Sequence, residues 1–328
     1  MWVDGYYSTT LTRSIIVEQV FTIHYFEYAK DFVFPGESHD FWELLYVDNG
    51  VVEVAADEAH HTLFKGDMIF HRPGEFHRLS ANGTTAPNLV VLSYECRSPA
   101  AQWFAGKVLR IVEEERTLLG HIIHEAQSAF SSRLDDPLSK GLVRAADGAF
   151  GCEQMIRLHL EELLIRLVRR DAGLSNRRRL TGSITQRSKE TAFNRVANYL
   201  EDNMGRSIRL EHLCRAVGYS RSYLYQVFRD RTGQSVMEYV KAVKVERAKQ
   251  MIREGGYNIA QICDALGFRS SAHFCTLFKR CVGMTPSGYA SSVKMKSERF
   301  ARIAGPATPA GQSGVTSRTP LYAPVLDS

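Results

Sequence analysis

Two sets of side chains in this sequence could do chemistry beyond packing a core. In the second half, Arg221 and Gln226 carry paired hydrogen-bonding groups that match the edges of guanine and adenine, respectively. In the first half, His39 and Glu43 are both odd-numbered positions of one predicted strand, so their side chains point to the same face. A carboxylate beside an imidazole can bind a polar ligand or a divalent metal ion. Which chemistry follows depends on the elements that position these groups.

The second half contains an internal repeat, with one copy over residues 208–233 and the other over residues 259–283. In each copy a short apolar helix is predicted to end at a glycine, and an aromatic residue and a serine follow. From Ser220 and Ser270 onward the copies align without a gap, at an offset of 50 residues. Glycine suits a left-handed helix end and serine caps a helix start, so each copy predicts a helix-turn-helix.

The segment between the two copies predicts one continuous amphipathic helix from Ser235 to Arg253. A helix of about 18 residues is about 27 Å long at 1.5 Å per residue. Such a helix can hold two recognition helices about one DNA turn apart, roughly 34 Å. One helix-turn-helix pattern is weak evidence, because any helical hairpin can mimic it, whereas two in register are strong evidence.

The net charge of +5 conceals a strong asymmetry along the chain. Residues 1–175 hold 16 Lys and Arg against 25 Asp and Glu, whereas residues 176–300 hold 23 against 10. This difference predicts that the second half faces a polyanion, with chance clustering of solvated charge as the alternative.

The second copy leads into a distinctive run of residues, Gly283-Met284-Thr285-Pro286-Ser287-Gly288-Tyr289, after Gly267-Phe268, Phe274 and Phe278-Lys279-Arg280. With the Gly218-Tyr219-Ser220 of the first copy, these residues make 191–292 resemble the DNA-binding domain of the AraC/XylS family of transcriptional regulators. The departures from that pattern are small: Cys275 and Cys281 replace commoner polar residues, and Ala272 is small for a recognition surface.

The resemblance implies which faces of the two recognition helices read DNA, and these faces lie opposite the predicted core residues. The second helix has few hydrogen-bonding side chains, so we expect it to use phosphate contacts and DNA shape. Arg231 and Arg280 are further phosphate candidates, and solvated helix charge is the alternative for Arg229 and Lys279. The expected DNA-binding residues are Ser220, Arg221, Ser222, Tyr225, Gln226, Arg229, Ser270, Ser271, Ala272, Cys275, Thr276 and Lys279.

The first half alternates short β-branched or aromatic runs with Gly, Pro and Asn turns, which predicts a small barrel or sandwich. The stretch from Ser38 to His77, with turns at Gly50, Gly66 and Pro73-Gly74, resembles the cupin-type sensor domain of the same family. This resemblance implies a central effector pocket. We expect it to suit a polyhydroxylated ligand such as a sugar. The expected pocket residues are His39, Phe41, Glu43, Tyr46 and His77.

Metal-binding cupins use two histidines, a glutamate and a later histidine. Here Glu37 stands in the first position, and His39, Glu43 and His77 could meet as ligands for a divalent metal. The alternative is a structural trio that lines the pocket or fixes the barrel by hydrogen bonds. Because sensor domains of this family usually lack metal, we predict no metal and no cofactor and keep the three residues as candidates.

A helix predicted over Glu153–Arg170 has a wide apolar face. That face must be buried, either on the barrel or on a second copy of the chain. We favour the second copy and expect a homodimer.

The expected fold is an α+β two-domain chain, with an N-terminal cupin-like β-barrel with accessory helices and a C-terminal all-α domain with two helix-turn-helix motifs. The expected boundaries are a sensing and dimerisation domain over 10–170, a linker over 171–190, a DNA-binding domain over 191–300 and a disordered tail over 301–328.

The expected function is that of a sequence-specific transcriptional regulator, more often an activator in this family, and not an enzyme. Its expected partners are double-stranded DNA, a small-molecule effector and RNA polymerase. No apolar run is long enough for a membrane helix, and six scattered cysteines without metal-type spacing favour the cytoplasm. The rivals are a metal-dependent cupin enzyme and a sensor-less architectural DNA binder, whose barrel would be filled with side chains.

Overall fold

The computed structural model describes residues 2–3, 6–172 and 184–304, which form a β-rich N-terminal domain and a helical C-terminal domain. The predicted linker and tail lie largely outside these ranges. The strands are β1 (Trp2–Val3), β2 (Tyr6–Tyr7), β3 (Gln19–Glu27), β4 (Val33–Glu37), β5 (Trp42–Asn49), β6 (Val51–Ala56), β7 (Ala59–Phe64), β8 (Asp67–His71), β9 (His77–Ala81), β10 (Asn88–Glu95) and β11 (Val108–Arg110).

The N-terminal domain is built from two antiparallel sheets that face each other, as the α+β prediction requires. One sheet has the strand order β11-β8-β5-β10-β3 and the other has the order β4-β9-β6-β7. Most of the β-branched and aromatic runs of the first half lie in strands, but residues 15–17 do not, although Ile15 and Val17 are buried. Their apolar side chains pack into the core below the helices, so burial rather than strand pairing explains their residue types.

Two helices, α1 (Glu113–Ala129) and α2 (Cys152–Asp171), cover the outer face of the five-stranded sheet. Ile156, Leu160, Leu163, Leu164 and Leu167 of α2 are buried in one core with residues of β5, β8 and β10. The expectation that this apolar face meets a second copy of the chain is therefore wrong: the barrel of the same chain covers it.

The space between the two sheets has an apolar part and a polar end. The apolar part is filled by buried side chains from both sheets, namely Phe26, Leu45, Val47, Val52, Val54, Leu63, Ile69, Leu89 and Val91. Alternation along β3, β5, β8, β9 and β10 places more polar residues on the same interior faces. We call these residues, with Glu37 and His39 beside them, the polar end of the barrel: Thr22, His24, Glu43, His71, His77 and Ser93.

The C-terminal domain consists of seven helices within the described residues, and two helix-turn-helix units are recognisable in it, as predicted. Helix α3 begins at Ile184, before the predicted boundary at residue 191. The helices are α3 (Ile184–Asp202), α4 (Leu210–Val217), α5 (Arg221–Thr232), α6 (Val236–Glu254), α7 (Ile259–Ala265), α8 (Ser271–Val282) and α9 (Pro286–Ala304).

Helix α6 joins the two units and contributes to both of their separate hydrophobic cores. Val236 and Val240 pack with the first unit, whereas Val245, Ala248 and Met251 pack with the second. Between these groups, the buried ammonium of Lys244 donates to the carbonyl oxygens of Arg206 at 2.7 Å and Leu266 at 2.6 Å. Lys244 therefore fastens the end of α7 and the loop after α3 to the middle of the connecting helix.

The turn of the second unit requires glycine for a steric reason that the first unit lacks. Gly218 and Gly267 have positive φ angles of 75° and 64°. A Cβ atom on Gly267 would lie 2.6 Å from the carbonyl carbon of Arg206, whereas one on Gly218 would meet nothing within 4 Å. The second turn thus depends both on the left-handed conformation and on close approach of two backbone segments.

We predict that Gly267→Ala destabilises the C-terminal domain by about 3 kcal/mol and Gly218→Ala by about 1 kcal/mol. Both substitutions strain a left-handed backbone, but only the one at Gly267 adds a clash with another backbone segment. Urea unfolding followed by far-ultraviolet circular dichroism measures both losses. Equal losses in the two variants would show that the close approach at Gly267 has no energetic weight.

Candidate DNA-binding surface and barrel sites

The predicted DNA-facing residues lie on the outer faces of α5 and α8. Leu224, Val227 and Phe228 turn the opposite face of α5 into the core, and Phe274, Leu277 and Phe278 do the same for α8. This arrangement leaves eleven of the twelve predicted residues exposed; Cys275, half-buried, packs against the second core. The structure therefore offers two surface helices of similar sequence, both supported by α6.

Several of the predicted contact residues have a local role as well. The hydroxyl oxygens of Ser220 and Ser270 accept from the backbone N–H groups of Tyr223 and His273, each at 3.2 Å, and so cap α5 and α8. The guanidinium of Arg221 lies 3.1 Å from Glu211 on the surface, which leaves it free to exchange that partner for a base or a phosphate.

The phosphate candidates do not all face the same way. Arg229 and Lys279 are exposed at the ends of the recognition helices, together with Arg280. Arg231 instead turns toward the barrel domain, where its guanidinium lies 3.4 Å from Glu113 and 4.3 Å from the ring centre of Phe193. Arg229, Lys279 and Arg280 therefore stay candidates for phosphate contacts, whereas Arg231 has a structural role.

At the polar end of the barrel, three predicted residues meet. The Nε2 atoms of His39 and His77 lie 3.6 and 3.4 Å from the two carboxylate oxygens of Glu43. Pairing of β4 with β9 places Glu37 opposite His77, and this carboxylate joins the group as well. Both sheets thus contribute, since Glu43 belongs to one and Glu37 and His77 to the other.

Electrostatics couple these groups to one another. Burial opposes ionisation of Glu43, but the imidazoles of His39 and His77 outweigh it and hold the pKa of Glu43 well below its ordinary value. Burial also opposes protonation of His77, yet the facing Glu43 raises the pKa of that imidazole. At Glu37, burial and the nearby charge of Glu43 raise the pKa. Glu43 is therefore held ionised, and the charged form of the His77 imidazole is favoured beside it.

The other two predicted pocket residues differ in their placement. The ring of Phe41 stacks on His39, with ring centres 3.9 Å apart and planes 10° apart. Tyr46 lies on the opposite face of β5, in the core beneath α1 and α2, because even-numbered positions of this strand point away from Glu43. The structure does not bring Tyr46 together with the other four.

His71 is not among the pocket residues predicted from the sequence, yet it lies at this site. Its ring stacks on His77 at 4.2 Å, and its Nδ1 donates to Glu75 at 2.7 Å. The pairing of β5 with β8 places His71 directly opposite Glu43. If the odd-numbered residues of β8 had been predicted to point into the barrel, His71 would have been placed beside Glu43.

A second feature missed in the sequence is a polar contact between the two domains. Glu27, at the end of β3, meets Lys249 and Arg253 of α6 and Tyr289 of α9. We call these four residues, with Asn88, the interdomain cluster. No spacing rule joins residues more than 200 positions apart, so the sequence alone carries no signal for it.

Among the clefts that lie outside the barrel interior, two border the elements discussed above. One of about 960 Å³ runs between β3 and α2 and is lined in part by Phe21, Arg157 and Glu161. The other, of about 830 Å³, lies between the domains and is lined in part by Tyr25, Glu27 and Tyr289. Neither is lined by His39, Glu43 or His77.

Comparison with known proteins decides the family. Residues 22–138 match the model of the AraC-like ligand binding domain, and residues 213–292 match that of a helix-turn-helix domain. Together the two matches span more than half of the chain. The chain belongs to the AraC family of transcriptional regulators. It is thus a DNA-binding regulator with an effector-binding domain, as the sequence predicted.

Its relatives are regulators too. The chain is 24% identical over 274 residues to the HTH-type transcriptional activator RhaR of Salmonella schwarzengrund, covering 79% of this chain and 88% of that protein. It is 30% identical over 107 residues to the Msm operon regulatory protein of Streptococcus mutans, covering 33% and 38% of the two chains.

Solved structures of such regulators also align with the chain. Apo ToxT from Vibrio cholerae is 14% identical, with a TM-score of 0.32 over 86% of this chain and 98% of that one. An AraC-type regulator from Chromobacterium violaceum is 23% identical, with a TM-score of 0.31 over 32% of this chain and 95% of that one.

Among the described residues, no helix is both long and apolar enough to cross a membrane.

We predict that Gln226→Ala weakens binding to a selected duplex by about 1–3 kcal/mol and relaxes the preference at one base pair, because an exposed glutamine on α5 can pair with adenine. Competition binding on single-substituted duplexes measures this change. The control is Gln154→Ala, which alters an exposed glutamine on α2 of the other domain. Uniform weakening across all sequences would mean that Gln226 does not read a base.

Proposed function

We propose that this regulator is an effector-controlled activator in which the barrel acts on the DNA-binding domain through the interdomain cluster. The observation that carries this proposal is the set of contacts around Glu27, which ties the end of β3 to α6 and α9. Because α6 also supports both recognition helices, a change in the barrel that moves β3 can reach the reading surface.

The contacts of the interdomain cluster are specific. The hydroxyl of Tyr289 donates to Glu27 and accepts from Arg253, both at 2.9 Å. The same guanidinium donates to the side-chain oxygen of Asn88 on β10. Asn88 in turn donates at 3.1 Å to Tyr25, which donates at 2.9 Å to Asp48. The network therefore extends from α9 across three adjacent barrel strands.

Burial makes the cluster sensitive to the loss of one member. The side chain of Arg253 is 1% exposed, and that of Glu27 is 19% exposed. Burial opposes ionisation of Glu27, but Lys249 and Arg253 outweigh it and lower the pKa of this carboxyl. Removal of one partner from such a group leaves a buried charge without compensation, which costs several kcal/mol.

Two further ion pairs join the domains at the surface. Lys296 of α9 pairs with Asp135, and Arg231 of α5 pairs with Glu113 of α1. These are partly exposed pairs, each of which contributes at most about 1 kcal/mol. The Arg231 pair connects the barrel domain to the first helix-turn-helix unit, and the Lys296 pair connects it to α9, the helix that follows the second unit.

The polar end of the barrel is our first choice for the effector, as predicted from the sequence. Its imidazoles and carboxylates suit a polyhydroxylated molecule such as a sugar. The interdomain cleft is the second choice, because a ligand there would touch Glu27 and Tyr289 directly.

We also infer activation, contact with RNA polymerase and a homodimer. Support for activation is the likeness to RhaR, which is itself a transcriptional activator. The partly exposed Met155 and Leu158 on α2 leave a smaller apolar surface for a partner subunit than the sequence suggested.

The rival functions are less consistent with the structure. A cupin enzyme does not account for two helix-turn-helix units joined by one helix. A sensor-less architectural binder requires a barrel filled with side chains. The apolar part of the interior is filled, but the polar end retains four ionisable groups whose ligand atoms lie within 4.8 Å of one another.

We predict that Glu27→Gln changes the effector-free affinity for a selected duplex about fivefold or more, because it weakens the contact through which the barrel biases α6. Fluorescence anisotropy with the full chain measures this affinity. The matched control is Glu18→Gln, which alters an exposed carboxylate just before the same strand.

Equal affinities for the wild type and Glu27→Gln would contradict control through the cluster. Loss of DNA binding in both Glu27→Gln and Glu18→Gln would instead count against the integrity of the preparations, which circular dichroism checks.

A further inference from the structure

The two recognition helices present different chemistry on equivalent faces. Because the two copies of the repeat align without a gap at an offset of 50 residues, the outer face of α8 can be compared with that of α5 residue by residue. Helix α5 offers a guanidinium, an amide and a phenol group, whereas α8 offers mainly methyl groups and a thiol. The matched residues, with α5 first, are Arg221 and Ser271, Ser222 and Ala272, Tyr225 and Cys275, and Gln226 and Thr276.

Three residues of α8 form one stripe along the helix. Cys275 and Thr276 follow Ala272 by three and four positions, so both side chains lie next to Ala272 on the helix surface. Ala272 and Thr276 are exposed, and Cys275 is half-buried because it also packs against the second core. We call these three residues the apolar stripe of α8.

The hydroxyl group of Thr276 is less available to DNA than its residue type indicates. Its Oγ1 donates to the backbone carbonyl oxygen of Ala272 at 2.9 Å, so its one proton is used within the helix. The oxygen can still accept a hydrogen bond, but in this arrangement the group does not donate one to a base. Thr276 therefore offers a partner its methyl group and an acceptor.

Short side chains also allow α8 to approach its partner closely. Tyr225 and Gln226 extend far from the backbone of α5, whereas the matched side chains on α8 are shorter, so the backbone of α8 can lie deeper in the major groove. In that groove thymine presents its C5-methyl group, and apolar contact with Ala or with the methyl group of Thr recognises it. The stripe therefore has the composition that suits thymine.

We propose that α8 recognises thymine through apolar contact between C5-methyl groups and the apolar stripe. The two recognition helices then read DNA by different means, α5 by paired hydrogen bonds and α8 by burial of methyl groups. Apolar readout goes beyond the phosphate contacts and DNA shape that the sequence predicted for α8. Its basis is the DNA binding of this family and the predicted DNA-facing side of α8, and it does not require control through the interdomain cluster.

Hydrogen bonding by hydroxyl oxygens is the competing explanation. The Oγ1 of Thr276 can accept from the amino group of adenine or cytosine, and so can the hydroxyl of Ser271 at the start of the helix. Such contacts distinguish bases by their amino groups and not by the methyl group of thymine. Replacement of thymine by uracil removes only that methyl group and keeps every hydrogen-bonding group of the base, so it separates the two explanations.

Uracil replacement combined with a protein variant tests the proposal. A duplex is selected from a random library with the full chain, and its thymines are replaced by uracil one at a time. We expect at least one replacement to weaken binding about fourfold, as the loss of one buried methyl group implies. Thr276→Ser removes the methyl group from the protein and keeps the hydroxyl, so the same replacement should weaken this variant less than about twofold. Fluorescence anisotropy measures the affinities.

The matched control is Thr232→Ser, at the end of α5. The hydroxyl of Thr232 also donates to the carbonyl oxygen four residues earlier, that of Phe228, at 2.8 Å, but Thr232 is half-buried and is not among the predicted DNA-facing residues. This variant should keep the full effect of uracil. Ala272→Ser gives α8 the residue that α5 has at the matched position, and it should reduce the effect as Thr276→Ser does.

Two results would overturn the proposal. In one, no uracil replacement weakens binding of the wild type by more than about twofold. In the other, Thr276→Ser and Ala272→Ser both keep the full effect of uracil. Failure to select any duplex would contradict DNA binding itself, and apolar readout with it. Affinities that change with Glu27→Gln but not with uracil would overturn apolar readout alone.

Discussion

The geometry of the DNA-binding domain depends on one helix that belongs to two hydrophobic cores. Helix α6 packs its first half into one helix-turn-helix unit and its second half into the other, and Lys244 ties backbone carbonyls to its centre. Burial lowers the pKa of this ammonium, so its two hydrogen bonds are made at an energetic cost. A continuous helix with both ends anchored fixes the distance between α5 and α8, and no flexible linker could do so.

The interdomain cluster joins the barrel to one end of α6. Glu27 contacts the last turns of α6 and the start of α9. The predicted DNA-facing residues, except the half-buried Cys275, are exposed while the domains are in contact. The control that we propose therefore orients the two helices relative to the barrel and does not cover them.

Local sequence rules predicted the helices and turns of the DNA-binding domain. The packing partner of α2 and the contacts between the domains depend on residues far apart in the chain. Serine caps, glycine turns and the 50-residue offset located both helix-turn-helix units, because these signals act within a few residues. The apolar face of α2 was visible in the sequence, but its partner was not, since a helix buries equally well on a sheet or on another subunit. Glu27 and Arg253 are far apart in the chain, and only the folded structure brings them together. At the polar end, the cupin-like pattern predicted His39, Glu43 and His77, although His39 lies just before β5 and not within a strand. The position of His71 required the register of β8.

Hydroxyl-radical footprinting of the full chain on a selected duplex tests the central claim most directly. If α6 holds α5 and α8 as one rigid body, two protected segments should lie on one face of the duplex, about 10–10.5 base pairs apart from centre to centre. Their spacing should stay the same on every duplex that binds tightly. A single protected segment, or two segments with a spacing that varies between duplexes, would contradict the account.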